Sequence, residues 1–401
     1  MNDRTQPEAP LVMKFGGACF LGLADFQVVA DFIVARLTQA RRVVAVVSAM
    51  SGTTGNLQHA QRELSGKPPA HLIAQLLTTG ETVSAALLAT ALCRNGVQAR
   101  AIEAKEIGLE AAGSAECAQL TGIDPAPLWS ALADAPVLVI PGGQAVDSAG
   151  HTVMLGRNSS TFSAVAVATA VGAHACEIFS EVPGVFTGDP YVIPEAHLIT
   201  ELSYSAAKWM GMSGAKIIPA AAIDLAERHS IRLVCRALTP AATRGTVISQ
   251  SGGAVAVVTG TRSRVWAFDD PEALERAHRT LAATAQTQDV LVVDCEGAGH
   301  LVAPDGDPYG MVARVCAAEG VQRPDLRLIT TVRGPNRPSW ALVPAATLAE
   351  QARRRHEAHY PSAGSRERRG RSPLSSVLLA SGDGSAVGQP AQSSPAPNSG
   401  G

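Results

Sequence analysis

Lys14, Phe15, Gly16 and Gly17 form the first stretch of the chain whose residue types could do chemistry. They close a short apolar segment that begins at Leu11. Two adjacent glycines let backbone N–H groups approach an anion closely, and the lysine adds a compact positive charge. The GxxxxGK[ST] pattern of a P-loop is absent, and a glycine pair after a strand is also a common structural turn. The segment therefore predicts a phosphate site in outline, with a structural turn as the alternative.

The elements that must position this segment alternate between short strands rich in Val and Ile and helices with apolar residues at helical spacing. The predicted strands lie at 11–15, 43–47, 137–140, 177–179 and 232–235, and the predicted helices lie at 24–40, 71–94 and 160–171. Such an alternation is typical of an α/β fold with a mainly parallel sheet that is covered by helices on both faces.

A different order of elements begins near residue 255. Strands are predicted at 263–269, 289–294, 299–303 and 326–332, and helices are predicted at 271–285 and 308–319. This βαββαβ order is that of a ferredoxin-like α+β module. We therefore divide the chain into a flexible lead at 1–10, an α/β domain at 11–252, a ferredoxin-like domain at 255–358 and a tail at 361–401. The tail is rich in Ser, Gly, Pro and Ala, which predicts disorder.

The composition is that of a soluble globular protein with an aliphatic core, since 46% of the 401 residues are hydrophobic and 4% are aromatic. The formal net charge of −2 gives no indication of a nucleic-acid partner. The seven cysteines show no CxxC spacing, as expected for reduced thiols in a cytoplasmic protein. No apolar signal region and no run of eighteen apolar residues is seen, so we predict a cytoplasmic protein without a membrane partner.

Several ordered motifs connect these features to a known family. The first is VMKFGGACF, the second is VVAVVSAMSGTTGNL, and Gly80-Glu81 follows at a matching distance. The central stretch contains VLVIPGGQAVDSAGHTVMLGRNSSTFSA, then EIFSEVPGVFTGDP and MSGAKIIP, and TRGTVIS closes the series. In order and spacing these motifs resemble those of the aspartokinases, which are amino acid kinases. The resemblance covers roughly the first 250 residues.

This resemblance implies an amino-acid-kinase fold over 11–252, an ACT-like module over 255–358, and transfer of the γ-phosphoryl group of ATP, with Mg²⁺, to a carboxylate. It implies that Lys14 and Lys216 are catalytic, because phosphoryl transfer depends on positioning and on stabilisation of charge. The acceptor substrate is expected to contact Thr54, Glu81, Arg157 and Ser160. ATP is expected to contact Lys14, Phe15, Gly16, Gly17, Ser48, Ser180, Glu181, Phe186, Asp189, Lys216 and Ile217. No protein-held metal is expected, because Mg²⁺ keeps phosphate and water ligands.

Ordinary structural roles remain as alternatives for several of these residues. Glu81 could be a first-turn acid that interacts with a helix dipole. Asp189 stands before a proline and could be a turn former. Ser48 could cap a helix, and either lysine could be a solvated surface residue.

The chain departs from the aspartokinase pattern at several positions. Where the family reads GRGGSD followed by an aromatic residue, this chain reads GRNSSTF, so Thr161 replaces an aspartate. A neutral hydroxyl cannot offer an ammonium group the same charge-assisted hydrogen bond, which puts recognition of an α-amino group in question. Glu181 stands in an altered TDVDG motif, Tyr191 replaces the arginine after TADP, and the histidine of FGAKVLHP is missing.

Three hypotheses follow. The chain could phosphorylate the side-chain carboxylate of L-aspartate to 4-phospho-L-aspartate. It could act on a different carboxylate that lacks a free ammonium group, such as a hydroxy or N-acylated acid. It could also be a non-catalytic regulator that binds a nucleotide or an amino acid. The resemblance further implies a homo-oligomer, and the C-terminal part has room for about one ACT-like module where aspartokinases of this type usually carry two.

Overall fold

The computed structural model describes residues 8–156, 159–238, 244–283, 290–295, 297–304, 306–307 and 310–361. The N-terminal part of the described chain contains twelve strands, which are β1 Leu11–Phe15, β2 Val43–Val47, β3 Ala99–Ala101, β4 Leu109–Ser114, β5 Cys117–Ile123, β6 Val137–Pro141, β7 Gln144–Val146, β8 Thr152–Met154, β9 Ala175–Ser180, β10 Glu201–Ser203, β11 Arg232–Ala237 and β12 Thr246–Ser249. Its eight helices are α1 Leu23–Arg36, α2 Thr53–Leu64, α3 Ala70–Leu77, α4 Thr79–Arg94, α5 Ala126–Asp134, α6 Ser160–Ala170, α7 Tyr204–Met212 and α8 Ala220–Arg228.

Eight of these strands form one sheet in the order β10-β12-β11-β9-β1-β2-β6-β3. All neighbours are parallel except β11 and β12, which are antiparallel. Every residue of β2 and β6 is buried, as expected for central strands covered on both faces. The other four strands form a small second sheet in the order β5-β4-β7-β8. The predicted α/β fold class is confirmed.

The two faces of the large sheet are covered by different helices. Phe15 lies on the face that packs against α1 and α4, in a cluster that includes Ile33 and Leu88. Val12 lies on the opposite face, which packs against α6 and α8. Because side chains alternate along a strand, Lys14 points to the same face as Val12. The sheet therefore directs Lys14 towards α6.

The helix predicted at 71–94 is divided into α3 and α4 at a single residue, Thr78. The Thr78 hydroxyl donates to the carbonyl of Ala74 at 2.8 Å, a local bond that competes with regular helix geometry. By length and composition alone, the combined stretch 70–94 could cross a membrane, although a core helix meets the same criteria. Leu88 and Leu92 of α4 are fully buried in the cluster against the sheet.

The C-terminal part contains β13 Val255–Gly260, β14 Arg264–Phe268, α9 Pro271–Ala282, β15 Leu291–Cys295, β16 Ala298–Ala303, α10 Met311–Cys316, β17 Val321–Gln322, β18 Leu326–Arg333, β19 Ser339–Pro344 and α11 Leu348–His359. An antiparallel sheet in the order β15-β16-β14-β17 is completed by α9 and α10. This strand order is that of the predicted ferredoxin-like module.

The fourth strand of this module was assigned incorrectly from the sequence. The strand predicted at 326–332 exists as β18, but it pairs with β13 and β19 in a separate three-stranded sheet against which α11 packs. The fourth strand is β17, whose two residues are both exposed and carry no hydrophobic pattern. The module is therefore inserted between two strands, β13 and β18, that are neighbours in another sheet.

The predicted domain boundary near residue 252 falls in the connection between β12 and β13. The described residues up to His359 form one compact unit, so the division into two domains stays a prediction. Arg157, most of the lead predicted at 1–10 and, apart from its first residue, the tail predicted at 361–401 lie outside the described residues.

Candidate functional site

Lys14 occupies the centre of the large sheet, on β1 between β2 and β9. Its side chain folds over the following turn, since a Cβ atom placed on Gly16 would lie 3.4 Å from the Lys14 Nζ atom. The side chain is only partly exposed. Burial lowers the pKa of the Lys14 ammonium below its ordinary value, and a nearby Glu181 carboxylate acts in the opposite direction. The fold therefore holds a cation where its charge is costly, which is typical of a binding or catalytic group.

Three thiols, those of Cys19, Cys176 and Cys235, lie within electrostatic range of this ammonium, and the sequence did not predict that they would cluster near Lys14. Burial raises the pKa of Cys19 to about 11 and the pKa of Cys176 and Cys235 to about 12. These thiols are therefore neutral at neutral pH. Glu181 and any bound anion remain as the groups that can balance the charge of Lys14.

The glycine pair after Lys14 has a structural role in addition to its predicted role in binding phosphate. The Gly16 N–H donates to the Phe179 carbonyl at 3.0 Å, so this amide is used within the sheet. A Cβ atom on Gly17 would lie 2.9 Å from the carbonyl oxygen of Ala49, which is too close for any other residue without a shift. Gly17 is thus required by the close approach of the loop after β2.

Ser48 and Ser160 are brought into direct contact, although 112 residues separate them in sequence. Their Oγ atoms lie 2.8 Å apart. Ser48 directly follows β2 and donates its N–H to the Phe15 carbonyl at 3.0 Å, while Ser160 is buried at the start of α6. The sequence assigned Ser48 to the nucleotide and Ser160 to the acceptor substrate. Their contact makes these two predicted subsites adjacent, as phosphoryl transfer between them requires.

Glu81 reaches the same place from the first turn of α4. A Cβ atom on Gly80 would lie 2.9 Å from the Ala49 Cβ atom, so the helix start abuts the residue that follows Ser48. Burial raises the pKa of the Glu81 carboxyl to about 7, while hydrogen bonds from the backbone amides of Glu81 and Ala49 act against this rise. Glu81 is a first-turn acid, as the structural alternative expected, and it also faces the site.

Thr54 and Arg157 are the other two residues predicted to contact the acceptor substrate. Thr54 is in the first turn of α2, whose start adjoins α4, because a Cβ atom on Gly80 would lie 3.4 Å from the Thr53 Cγ2 atom. Thr161, which stands where aspartokinases have an aspartate, is 6% exposed in the first turn of α6. Arg157 lies outside the described residues.

The predicted nucleotide residues on β1 and β9 differ in what they offer a ligand. The Phe15 ring is fully buried and stacks on Phe179 with the centroids 5.1 Å apart, so its side chain belongs to the core. Ser180 ends β9, Glu181 follows it, and both line a cleft of about 200 Å³ next to Cys19. Glu181 is exposed there, within electrostatic range of Lys14.

Phe186 and Asp189 make their described contacts in a separate turn. Phe186 forms an isolated bridge with Leu198. The exposed Asp189 carboxylate accepts the N–H of Tyr191 at 3.0 Å, as in the ordinary turn considered as its alternative. The neighbouring Thr187 hydroxyl lies 2.9 Å from the Nε2 atom of His356.

Lys216 and Ile217 belong to the connection between α7 and α8. Lys216 is exposed, whereas Ile217 packs against the core on the α6 side of the sheet. The connection is held by the Ala215 N–H, which donates to the Met210 carbonyl at 3.0 Å, and by Gly214, where a Cβ atom would lie 2.8 Å from the Pro304 carbonyl oxygen. The exposed ammonium of Lys216 is available to a ligand.

Sequence comparison matches residues 9–237 to the model of the amino acid kinase family. The chain is 35% identical over 226 residues to an aspartokinase of Helicobacter pylori (strain ATCC 700392 / 26695), which covers 56% of each protein. It is 34% identical over 228 residues to an aspartokinase of Thermus thermophilus, covering 57% of this chain and 56% of the relative. The chain thus spans about half the length of the curated relatives it matches.

Structure comparison extends the similarity beyond the α/β part. Escherichia coli aspartokinase III in complex with aspartate and ADP superimposes with a TM-score of 0.70 at 18% identity, over 88% of this chain and 100% of that one. Clostridium acetobutylicum aspartate kinase superimposes with a TM-score of 0.57 at 14% identity, over 86% and 98% of the two chains. At these identities the similarity concerns the fold, which includes the β-rich part that follows residue 252.

Proposed function

The chain belongs to the amino acid kinase family, and from this premise we propose that it is an ATP-dependent kinase that converts L-aspartate to 4-phospho-L-aspartate. The observation that carries the proposal is that Ser160 of α6 and Glu81 of α4 converge with Ser48 at the end of β2. β2 is the strand next to β1, which carries Lys14. A cation, two hydroxyls and a carboxylate at one end of a parallel sheet suit a phosphate donor and a charged acceptor. The similarity to aspartokinases supports aspartate as that acceptor.

In the proposed reaction a side-chain carboxylate oxygen of aspartate forms a bond to the γ-phosphorus of ATP, and the bond from that phosphorus to the β–γ bridging oxygen breaks. Lys14 stabilises the negative charge on the transferred group, and the Ser48 and Ser160 hydroxyls orient the reactants. Lys216 provides a second cation, and Arg157 pairs with the α-carboxylate through its planar guanidinium. Thr54 would contribute a hydroxyl on the acceptor side.

Mg²⁺ is proposed to arrive with the nucleotide. The groups beside Lys14, which are hydroxyls and the single carboxylate of Glu181, suit an ion that keeps phosphate and water ligands. When bound, Mg²⁺ would neutralise part of the phosphate charge. Ser180 and Glu181 would then border the nucleotide along the cleft at the end of β9. Phe15, Gly16 and Gly17 would contact it through their backbone.

An acceptor assay tests the proposal directly. Purified protein is incubated with Mg-ATP and hydroxylamine, which traps an acyl phosphate as a hydroxamate, and with L-aspartate, L-malate, N-acetyl-aspartate or L-glutamate. We expect hydroxamate from L-aspartate, and its rate of formation should fall by about 10³-fold in the Lys14→Met variant. Turnover only with L-malate or N-acetyl-aspartate would replace aspartate by an acid without an ammonium group, which the neutral, buried Thr161 favours. Nucleotide binding without any turnover would instead indicate a regulator.

The pH dependence of the reaction should report the ionisation of Glu81. An ionised Glu81 can pair with the substrate ammonium, and its pKa of about 7 means that the paired form is lost as the pH falls through 7. We therefore expect kcat/KM for L-aspartate to fall by about tenfold per pH unit below this value. The Glu81→Gln variant should have a low kcat/KM without this acid limb. An unchanged acid limb in Glu81→Gln would show that another group titrates.

A cytoplasmic location and a homo-oligomeric assembly accompany this proposal as predictions. The seven cysteines are free, which supports a reducing compartment. The ferredoxin-like module at β14 to β17 resembles an ACT-like sensing module, and we propose that it binds an effector.

A further inference from the structure

Gln144 is a buried polar residue that the proposed mechanism does not yet use. It is 3% exposed and begins β7, directly after the turn formed by Gly142 and Gly143. Its Nε2 atom donates to the Thr78 carbonyl at 2.8 Å and lies 3.4 Å from the Thr82 Oγ1 atom. Burying an amide without hydrogen-bond partners is unfavourable. These two bonds are therefore what stabilises the Gln144 side chain in its buried position.

The residue that accepts from Gln144 is Thr78, which lies between α3 and α4. The Thr78 carbonyl also accepts the Thr82 N–H at 3.3 Å and the Thr82 hydroxyl at 3.1 Å. Gln144 therefore holds the first carbonyl of the turn that carries Glu81, which immediately precedes Thr82 in sequence. The Gln144 side chain thus links β7 to the residue at which this turn begins.

The other side of the same segment contacts Ser160. A Cβ atom on Gly142 would lie 2.5 Å from the Ser160 Cβ atom, and the Gly143 N–H donates to the Ser163 hydroxyl at 2.8 Å. Residues 142–144 thus connect the first turn of α6 to the first turn of α4. Both turns contain a predicted acceptor-substrate residue, so this segment links the turn of Ser160 to the turn of Glu81.

We propose that Gln144 is a positioning residue that holds the Glu81 carboxylate in the acceptor half of the site, opposite Ser160. This inference rests on the proposed function, because it takes the acceptor to be an acid that carries an ammonium group. The Gln144 amide acts on Glu81 indirectly, through the start of α4. Loss of this amide should therefore weaken acceptor binding more than ATP binding. Lys14 and Ser48 are placed by β1 and β2, which Gln144 does not contact through its side-chain bonds.

The test compares Gln144→Met, which keeps side-chain length and removes the donor, with Gln98→Met. Gln98 is a matched control, because its exposed side-chain amide also donates to a backbone carbonyl, that of Asp134, at 2.8 Å. We expect Gln144→Met to raise KM for L-aspartate by about tenfold and to leave KM for ATP within about twofold. Gln98→Met should change neither constant. An equal rise in both constants for Gln144→Met would overturn the inference, because it would indicate general loss of structure.

A second measurement does not depend on turnover. The Glu81 carboxyl is titrated by NMR of protein labelled with ¹³C-glutamate, and its signal is assigned with Glu81→Gln. In Gln144→Met the released turn exposes this carboxyl, so the midpoint of its titration should move from about 7 towards that of an ordinary glutamate. An unchanged midpoint would contradict the positioning role. If the wild-type protein does not phosphorylate L-aspartate, the proposed function fails while this titration still decides the role of Gln144.

The shorter variant Gln144→Asn provides a second test, which applies if Gln144→Met does not fold. It keeps a polar amide but lacks one methylene, so it cannot span the same distance to Thr78. It should produce the same downward move of the Glu81 midpoint. A midpoint that stays at the wild-type value in a folded Gln144→Asn protein would also overturn the inference.

Discussion

Replacing Lys14 with methionine is expected to lower kcat by about 10³-fold, because loss of one preorganised group that stabilises transition-state charge costs this much in other enzymes. Folding should survive the change. Burial lowers the pKa of the Lys14 ammonium, which means that the folded protein holds this charge at a cost, and methionine is uncharged and of similar length. Initial rates with saturating Mg-ATP and L-aspartate give the effect on kcat, and thermal unfolding reports the stability.

The control for this prediction is Lys105→Met. Lys105 is exposed and pairs with Glu103 in an exposed ion pair of 2.9 Å. It should keep wild-type kcat and wild-type thermal stability. If Lys14→Met retained kcat within tenfold, Lys14 would not be the group that stabilises the transferred phosphoryl. Loss of the fold would contradict the separate prediction that the buried charge is held at a cost.

Replacing Arg36 with methionine should lower the free energy of unfolding by about 3 kcal/mol, the lower end of the range for breaking a buried ion pair. Two parallel bonds of 2.9 Å join the Arg36 guanidinium in the last turn of α1 to the Glu177 carboxylate on β9. The side chains of Arg36 and Glu177 are only 17% and 9% exposed, so the variant leaves a carboxylate unpaired in the core. Urea denaturation followed by circular dichroism measures the change.

Two further variants separate the cost of an unpaired charge from the value of the ion pair. The double variant Arg36→Met, Glu177→Leu should recover most of the lost stability, because an apolar pair can replace a buried ion pair at little cost. Arg279→Met breaks an exposed pair with Glu275 at 3.2 Å and should have no measurable effect. A double variant as unstable as Arg36→Met would show that the loss came from packing of the arginine stem.

The central strands could be predicted well because their signal is local. The predictions at 11–15 and 43–47 agree with the bounds of β1 and β2, since a short, mainly apolar run with clear boundaries has few other stable conformations. The βαββαβ class of the second module was also predicted from the order of its elements along the chain. Its fourth strand was wrong, because β17 has only two exposed residues while the longer β18 fitted the pattern.

The break between α3 and α4 could not be predicted from the same kind of signal. Residues 71–94 contain no proline and one glycine, and their apolar spacing continues through Thr78. The Thr78 carbonyl at this break also accepts from the Gln144 amide, which is 66 residues away in the chain. A local pattern carries no information about such a partner.

The sequence by itself determined the family, the α/β fold class and most of the residue types at the site, including Lys14, Ser48, Glu81 and Ser160. These follow from short motifs whose order is preserved, and from apolar periodicity, both of which are properties of neighbouring residues. The roles of these residues as substrate or nucleotide contacts stay predictions. Several others, such as Asp189, have an ordinary structural contact in the fold.

Only the tertiary structure decided which of these residues meet and what their surroundings do to them. The contact of Ser48 with Ser160 requires two strands and a helix to pack, and the thiols around Lys14 come from three separate segments. The raised pKa of Glu81 depends on removal of water by residues distant in sequence. Burial and long-range contact are properties of the packed chain, because desolvation and hydrogen bonding act through space rather than along the sequence.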